Sequence, residues 1–219
     1  AAKRAKQGDK EAIAKRDVLG PVVEGLREGI PARNVQLTAE QRKTLKGLHL
    51  LTSKPVLYVS NVEEGSVASG NSLSQQVEAR AKAEGAGHVV ISAEIEAEVA
   101  QLSDAQEKRA FLDDLGLEES GLSRTIKEGF RLLNLITFFT AGPKEAHAWT
   151  VRNGANAPEA AGVIHSDMER GFIRAETIFW QDFVDCGGEA AAKEAGKMRV
   201  EGRDYTVKDG DVFHFRFNV

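Results

Sequence analysis

Two short polar stretches stand where this chain could do chemistry. Asn61-Val62-Glu63-Glu64 closes one apolar run and sets a primary amide three residues ahead of a carboxylate; Ser92-Ala93-Glu94 closes another. A carboxamide both donates and accepts, so it can meet a purine at N7 and at its exocyclic group. Main-chain N–H groups of the serine-led turn can hold the other edge. Such a site discriminates between bases strongly, because buried donors and acceptors left unpaired are costly. The same spacing equally fits an Asx turn that ends a strand and leaves two glutamates in water.

The surrounding elements decide whether the two stretches can meet. "VLYVS" follows Pro55 as a short continuous apolar run, the pattern of a parallel strand buried on both faces. "SLSQQVEARAKAEG" reads as a helix with Leu73, Val77 and Ala81 inward and Gly85 as its stop, and "HVVISAE" as a second buried strand. A right-handed β-α-β crossover puts both carboxyl ends on one side of the sheet. Asn61 and Ser92 are therefore expected side by side, in the crevice where open α/β sheets bind ligands.

On the N-terminal side, Ala1 to Lys6 reads as the end of one helix, broken at Gly8. Asp9 is a fitting N-cap for a second helix that runs to about Glu28, with a seam of Ala12, Leu19 and Leu26 and with Val22 between. This helical hairpin covers 1–37. Thr38 and Gln41 form a capping box for a helix with Leu45, Leu48 and Leu51 inward. Two linking helices follow Glu94. One is capped by Ser103 with Gln106 and stops at Gly116; the other carries Leu122, Ile126, Phe130 and Leu133 as a buried stripe. Residues 135–219 then read as strands "LITFFT" and "EAHAWTV" around the hairpin signal "AGPK", a helix from Pro158 to Gly171, and the strand "FIRAETI". An Asp209-Gly210 turn precedes alternating Phe213, Phe215, Phe217 and Val219. That order suits a β-grasp.

Composition sets limits. The chain has 219 residues, 42% hydrophobic and 28% charged, with net charge −4; this excludes collagenous and disordered classes and a generic polyanion binder. No apolar run reaches the roughly 18 residues of a membrane span. The single Cys186 has no internal partner, which fits a reducing, cytoplasmic setting. Residues 1–37 hold eight Lys or Arg against five Asp or Glu, and residues 136–219 hold ten against thirteen. A basic arm of this kind could touch RNA phosphates, or be a solvated helix face. His147, His165 and His214 show no metal-ligand spacing, so no metal site is expected, and Trp149 and Trp180 are expected to pack in the core. The opening "AAKRAKQGDKEA" lacks an initiator Met and reads as a fragment cut inside a helix.

The order "KPVLYVSNVEE", "VVISAEIEAEVAQL", "FLDDLGLEESGLSRTIKEGFRLLNLITFFTAG" and "EAHAWTV…GVIHSDMERGFIRAETI…KDGDVFHFRFNV" resembles the YchF-type members of the Obg-related P-loop NTPases over essentially the whole chain. The resemblance implies an α/β plus α+β architecture. Residues 1–37 would be a remnant of a coiled-coil insert, 38–134 the C-terminal part of a nucleotide-binding G domain with a parallel sheet, and 135–219 a TGS domain of β-grasp fold. It also implies an Asn-x-x-Glu base-reading motif in place of the guanine-reading Asn-Lys-x-Asp, with ATP preferred over GTP and Mg²⁺ as the companion ion. By position, Asn61 and Glu64 match that motif, Val62 a residue lying against adenine, and Ser92, Ala93 and Glu94 the loop that closes the pocket. Ribosome or RNA would be the partner, with no membrane and no DNA. The pattern departs from the family in one respect: no G-x-x-x-x-G-K-[ST] occurs, and the nearest string, "AAKEAGKM" from Ala191, reads as helix. Catalytic residues and Mg²⁺ ligands are thus not expected in these residues, and the chain alone is expected to be inactive. The alternative is a non-enzymatic module that engages RNA or protein through its β-grasp and helical surfaces.

Overall fold

The computed structural model describes residue 4, residues 6–142 and residues 144–218. Most of the expected helix end at Ala1–Lys6, the hairpin proline Pro143 and the terminal Val219 lie outside the described residues. The chain divides into two units, Ala1–Leu132 and Leu133–Val219. Among the described residues, no helix is long and apolar enough to cross a membrane.

In the first unit, α1 (Lys10–Arg27) starts where the Asp9 carboxylate accepts from the N–H groups of Glu11 and Ala12 at 3.0 and 3.1 Å, occupying donors that the first turn cannot bond. α2 (Ala39–Lys46) opens with the expected capping box between Thr38 and Gln41. The expected seam is met in part: Ala12 and Val22 are buried, and Val18 joins them. Val18 and Val22 of α1 close on Ala32, Val35 and Leu45, while Leu26 is 40% exposed. A short α2 approaching from one side selects the i, i+4 pair Val18–Val22 in place of a seven-residue coiled-coil repeat. Each of those valines contributes about 1.5–3 kcal/mol when fully buried. The expected boundary between 37 and 38 therefore runs through a shared core. Leu51 sits in a 3-10 turn, 80% exposed, and is not part of α2.

β1 (Leu57–Asn61) and β2 (Gly87–Ile91) pair in parallel, Leu57 opposite Gly87 and Asn61 opposite Ile91, with α3 (Ser72–Glu84) as the crossover. Burial is less complete than the apolar runs suggest: Val59 is 45% exposed and Leu73 of α3 is 68% exposed. Among the described residues this sheet has two strands, so a sequence built for two covered faces keeps one partly open. At the end of α3 the Glu84 carboxylate collects the Tyr58 hydroxyl at 3.0 Å, Arg80 Nε at 2.5 Å and Arg33 at 3.1 Å. These donors, Tyr58 foremost, hold its pKa below the usual glutamate value. A depressed carboxylate stabilises the fold above its unfolded pKa of about 4.3 and loses that contribution as pH falls through the folded value. Glu84→Gln is therefore expected to lower the chemical-denaturation midpoint of the first unit near neutral pH. The gap from the unaltered chain should close in acid; a constant gap at every pH would contradict this.

Three helices follow: α4 (Ala93–Gln101), α5 (Ala105–Asp114) and α6 (Gly121–Leu132). Asp104 caps α5, accepting from the Gln106 and Glu107 N–H groups, in place of the expected Ser103. α6 leaves much of its expected stripe outside: Leu122 and Ile126 are 61% and 52% exposed, as is Leu133 just beyond its end at 58%, whereas Phe130 is half-buried. Its first turn decides the orientation. The Glu96 carboxylate of α4 accepts from the N–H groups of Gly121 and Leu122 at 2.6 and 3.0 Å, and a Cβ on Gly121 would stand 2.8 Å from Ile91 Cγ2. This close approach lays α6 on β2 by its glycine face.

The second unit is a five-stranded sheet in the order β4-β3-β7-β5-β6, with β3 (Leu135–Ala141), β4 (Ala146–Arg152), β5 (Phe172–Phe179), β6 (Arg199–Glu201) and β7 (Asp211–Phe217). β3 and β7 run parallel at the centre and the other pairs antiparallel, the β-grasp arrangement. The expected single helix breaks at His165, extended at φ −158°, into α7 (Ala157–Ile164) and α8 (Ser166–Arg170). Of "AAKEAGKM", expected to be helix, only Ala191–Glu194 belongs to the helix Glu189–Glu194; Ala195–Met198 is turn and irregular chain. Phe138, Phe172, Phe213 and Phe215 form the core, with edge-to-face rings, whereas Phe217 and Trp180 are 42% and 44% exposed. Asp209 and Gly210 tie the sheet centre: the Thr137 N–H donates to Asp209 Oδ1 and the Gly210 N–H to the Thr137 carbonyl, both at 2.8 Å.

Candidate functional site

The parallel register brings the two polar stretches together. Pairing continues one step beyond the strands, where the Val62 N–H donates to the Ile91 carbonyl at 2.8 Å. Asn61 then reaches across: the Ala93 N–H donates to its Oδ1 at 2.8 Å. The side chain of the first turn thus clasps the backbone of the second. This clasp engages the oxygen, which keeps one further lone pair, and leaves the two N–H groups of Nδ2 as the amide's freer donors.

The two glutamates take different parts. Glu63 folds back and accepts from the Ser66 hydroxyl and from Asn71 Nδ2, the latter at 3.1 Å, and these bonds, Ser66 foremost, lower its pKa. Asn71 meanwhile caps α3, its Oδ1 accepting from the Leu73 and Ser74 N–H groups. Glu63 therefore shapes the turn. Glu64 opens the following 3-10 turn and is exposed, as are Ala93 and Glu94. Val62 is only 8% exposed, so its side chain supports the rim from beneath more than it forms an open wall. Ser92 is 1% exposed at the N-cap of α4, makes no side-chain cap bond there, and its Oγ is buried without a partner. The exposed carboxylates Glu64 and Glu94 make this corner unfavourable for phosphate and suit it to a base that offers N–H donors.

Residue types alone did not single out Ser66, Asn71 or Glu96, the three that hold the corner in shape. Asn71 ahead of an apolar-periodic run carried an N-cap signal; nothing local announced that its free amide would reach Glu63. Among the described residues the structure also gathers one group of possible metal ligands that spacing did not suggest, Glu176, Glu189 and His214. Glu176 is already engaged by Arg216 at 2.9 Å and by Arg174 at 3.7 Å, and the cluster is explained as ion pairing. Neither this group nor the Asn61 corner offers a phosphate-side carboxylate and hydroxyl of the kind Mg²⁺ chemistry uses, so the residues described here do not fit Mg²⁺.

Comparison with known proteins places these features in context. Residues 135–218 match the family model YchF-GTPase_C, described as a protein of unknown function, DUF933. The "Ribosome-binding ATPase YchF" of Bacillus subtilis is 52% identical over 219 residues, 99% of this chain and 60% of that protein. The Haemophilus ducreyi protein of the same name is 52% identical over 217 residues. The chain thus spans about 60% of the length of the curated relatives it matches. Among solved structures, the Schizosaccharomyces pombe YchF GTPase covers 91% of this chain and 53% of its own, at TM-score 0.76 and 30% identity. A GTP-binding protein from Pyrococcus horikoshii shares the fold at TM-score 0.54 and 16% identity.

Proposed function

This chain belongs to the YchF family, and from that premise we propose that its first unit is the base-reading corner of an adenine-nucleotide pocket in a ribosome-associated ATPase. The observation that carries the reading is the Asn61 clasp, at 2.8 Å to the Ala93 N–H. It locks the amide so that Nδ2 points its donors outward, toward the N7 acceptor that a purine presents. Glu64 then accepts from the adenine exocyclic amine. Guanine offers O6 at that edge, an acceptor facing a carboxylate, and is disfavoured. The Asp of Asn-Lys-x-Asp accepts from guanine N1–H and its 2-amino group, donors adenine lacks; a longer, displaced Glu64 carboxylate no longer rewards them. In this reading the protein binds and hydrolyses ATP, with GTP a poorer substrate and Mg²⁺ bound by residues outside these 219. The stretch holds no phosphate-cradling loop, so by itself it is expected to bind the base weakly and to hydrolyse nothing. The ribosome is the partner that the names of the relatives suggest.

The test is a titration of this chain with adenosine and guanosine, followed at the Asn61 side-chain amide and the Ala93 N–H by NMR. It is repeated with ATP and GTP in a protein of full family length. Adenine is expected to bind at least tenfold tighter, roughly 1.4 kcal/mol. Equal or reversed preference would sink the reading. RNA affinity with steep salt dependence and no base response at Asn61 would favour the non-enzymatic module.

A further inference from the structure

Glu64 stands on a loop, Glu63 to Asn71, that leaves the Asn61 corner and returns to start α3. Three fastenings hold this loop. Backbone bonds wind it: the Ser66 N–H donates to the Glu63 carbonyl at 2.9 Å, the Val67 N–H to the Glu64 carbonyl at 3.1 Å and the Gly70 N–H to the Ser66 carbonyl at 2.7 Å. Val67 anchors it from beneath, 3% exposed and packed with Ile95 of α4, Leu112 of α5 and Leu117. The loop is thereby fixed to the helix that begins at Ala93, the other half of the corner. At the foot, Asn71 Nδ2 donates to both oxygens of the Glu63 carboxylate, at 3.1 and 3.4 Å, and the Ser66 hydroxyl donates to the same group.

Asn71 closes the foot because its amide is divided between two tasks. Oδ1 accepts from the Leu73 and Ser74 N–H groups at 3.1 and 3.0 Å as the cap of α3, and the Asn71 N–H donates to Ser74 Oγ at 2.8 Å. The helix thus sets the plane of the amide and leaves Nδ2 to turn back toward the loop. Gly70 makes the approach possible: its φ is +75°, and a Cβ there would stand 2.6 Å from Ser74 Oγ. Aspartate would cap α3 as well, but only the amide brings N–H donors to a neighbouring carboxylate.

We propose that Asn71 is a positioning residue for base selection: by tying Glu63 at the foot of the loop, it fixes the backbone from which the Glu64 carboxylate reaches the base. The role rests on the base-reading function proposed for Glu64 and adds the residue that makes that function selective. A held carboxylate meets the adenine amine without an ordering cost and stays opposed to guanine O6. A loose one must be ordered to bind adenine and can swing away from guanine, so loosening lowers the preference from both sides.

The test compares the unaltered protein with Asn71→Asp and with the exchanged pair Glu63→Gln/Asn71→Asp. Aspartate keeps the cap but sets a like charge against Glu63; the exchange puts the amide on the other partner and restores the bond. In the 219-residue chain, hydrogen exchange at the Ser66, Val67 and Gly70 N–H groups is expected to be about fivefold faster in Asn71→Asp, unchanged at the capped Ser74 N–H, and restored in the exchanged pair. In a protein of full family length, the preference for ATP over GTP should fall about fivefold in Asn71→Asp and return in the exchanged pair. Equal loosening at Ser74 would reduce Asn71 to a helix cap and overturn the positioning role. So would an unmoved loop, or a loosened loop with the preference intact; base reading itself would still stand if Asn61→Ala weakens ATP binding in the same assay. An unaltered protein with no preference overturns base reading and this role together.

Discussion

Replacing Asn61 by alanine is expected to weaken adenine-nucleotide binding ten- to a hundredfold, about 1.4–2.8 kcal/mol. Two losses combine. The base loses a donor from a group whose orientation is fixed by the bond between Oδ1 and the Ala93 N–H at 2.8 Å, and that N–H loses its acceptor, which frees the turn at the start of α4. A net loss of about 1 kcal/mol is usual for one neutral hydrogen bond, and loosening the turn adds an ordering cost on binding. Asn61→Asp separates the two effects, since a carboxylate still accepts from Ala93 but cannot donate to N7. Nucleotide affinity measured by calorimetry should fall in both variants. Full affinity in Asn61→Asp would show that the clasp matters and the base contact does not.

Asp211→Ala should lower the melting temperature of the second unit by about 12–24 °C, taking about 3 kcal/mol lost and about 4–8 °C per kcal/mol for a domain of this size. The carboxylate is 1% exposed at the start of β7, beside the central parallel pairing. It accepts from the Tyr205 hydroxyl at 2.8 Å, the Lys208 N–H at 2.9 Å and Arg199 at 3.3 Å. Burial, and then this carboxylate, push the Tyr205 hydroxyl pKa up, which keeps the phenol protonated as the donor. Arg199 is 43% exposed and regains water when the acid is removed; the half-buried Tyr205 hydroxyl loses its acceptor and the turn loses its bond from the Lys208 N–H, and these two carry most of the loss. Tyr205→Phe, which removes one donor and leaves the acceptor, should cost about 1 kcal/mol. Scanning calorimetry showing Asp211→Ala and Tyr205→Phe within a few degrees of each other would contradict this division.

Both variants rest on pairings that residue types did not announce, and the reason is separation along the chain. Caps are local, and they were legible: Asp9, Thr38 with Gln41, and Gly85 sit where short-range hydrogen bonding puts them. Even so, the cap on α5 moved one residue to Asp104. Apolar periodicity located α6 but misjudged part of its inward face, because Gly121 and the Glu96 carboxylate, from 25 residues upstream, fix its rotation on β2. The Leu122–Ile126 stripe is a real feature of the sequence. Its exposure is decided by what α6 meets.

By itself the amino-acid sequence determined a β-α-β unit followed by a β-grasp, the family, and the adjacency of Asn61 and Ser92, since strand, crossover and turn signals are all carried by neighbouring residues. Tertiary structure alone decided that Asn61 acts as a clasp spanning 32 positions to Ala93, and that Glu63 holds the turn while Glu64 stays open. Each of these depends on sheet register and helix rotation, which set distances between residues far apart in the chain and leave no local trace in the sequence.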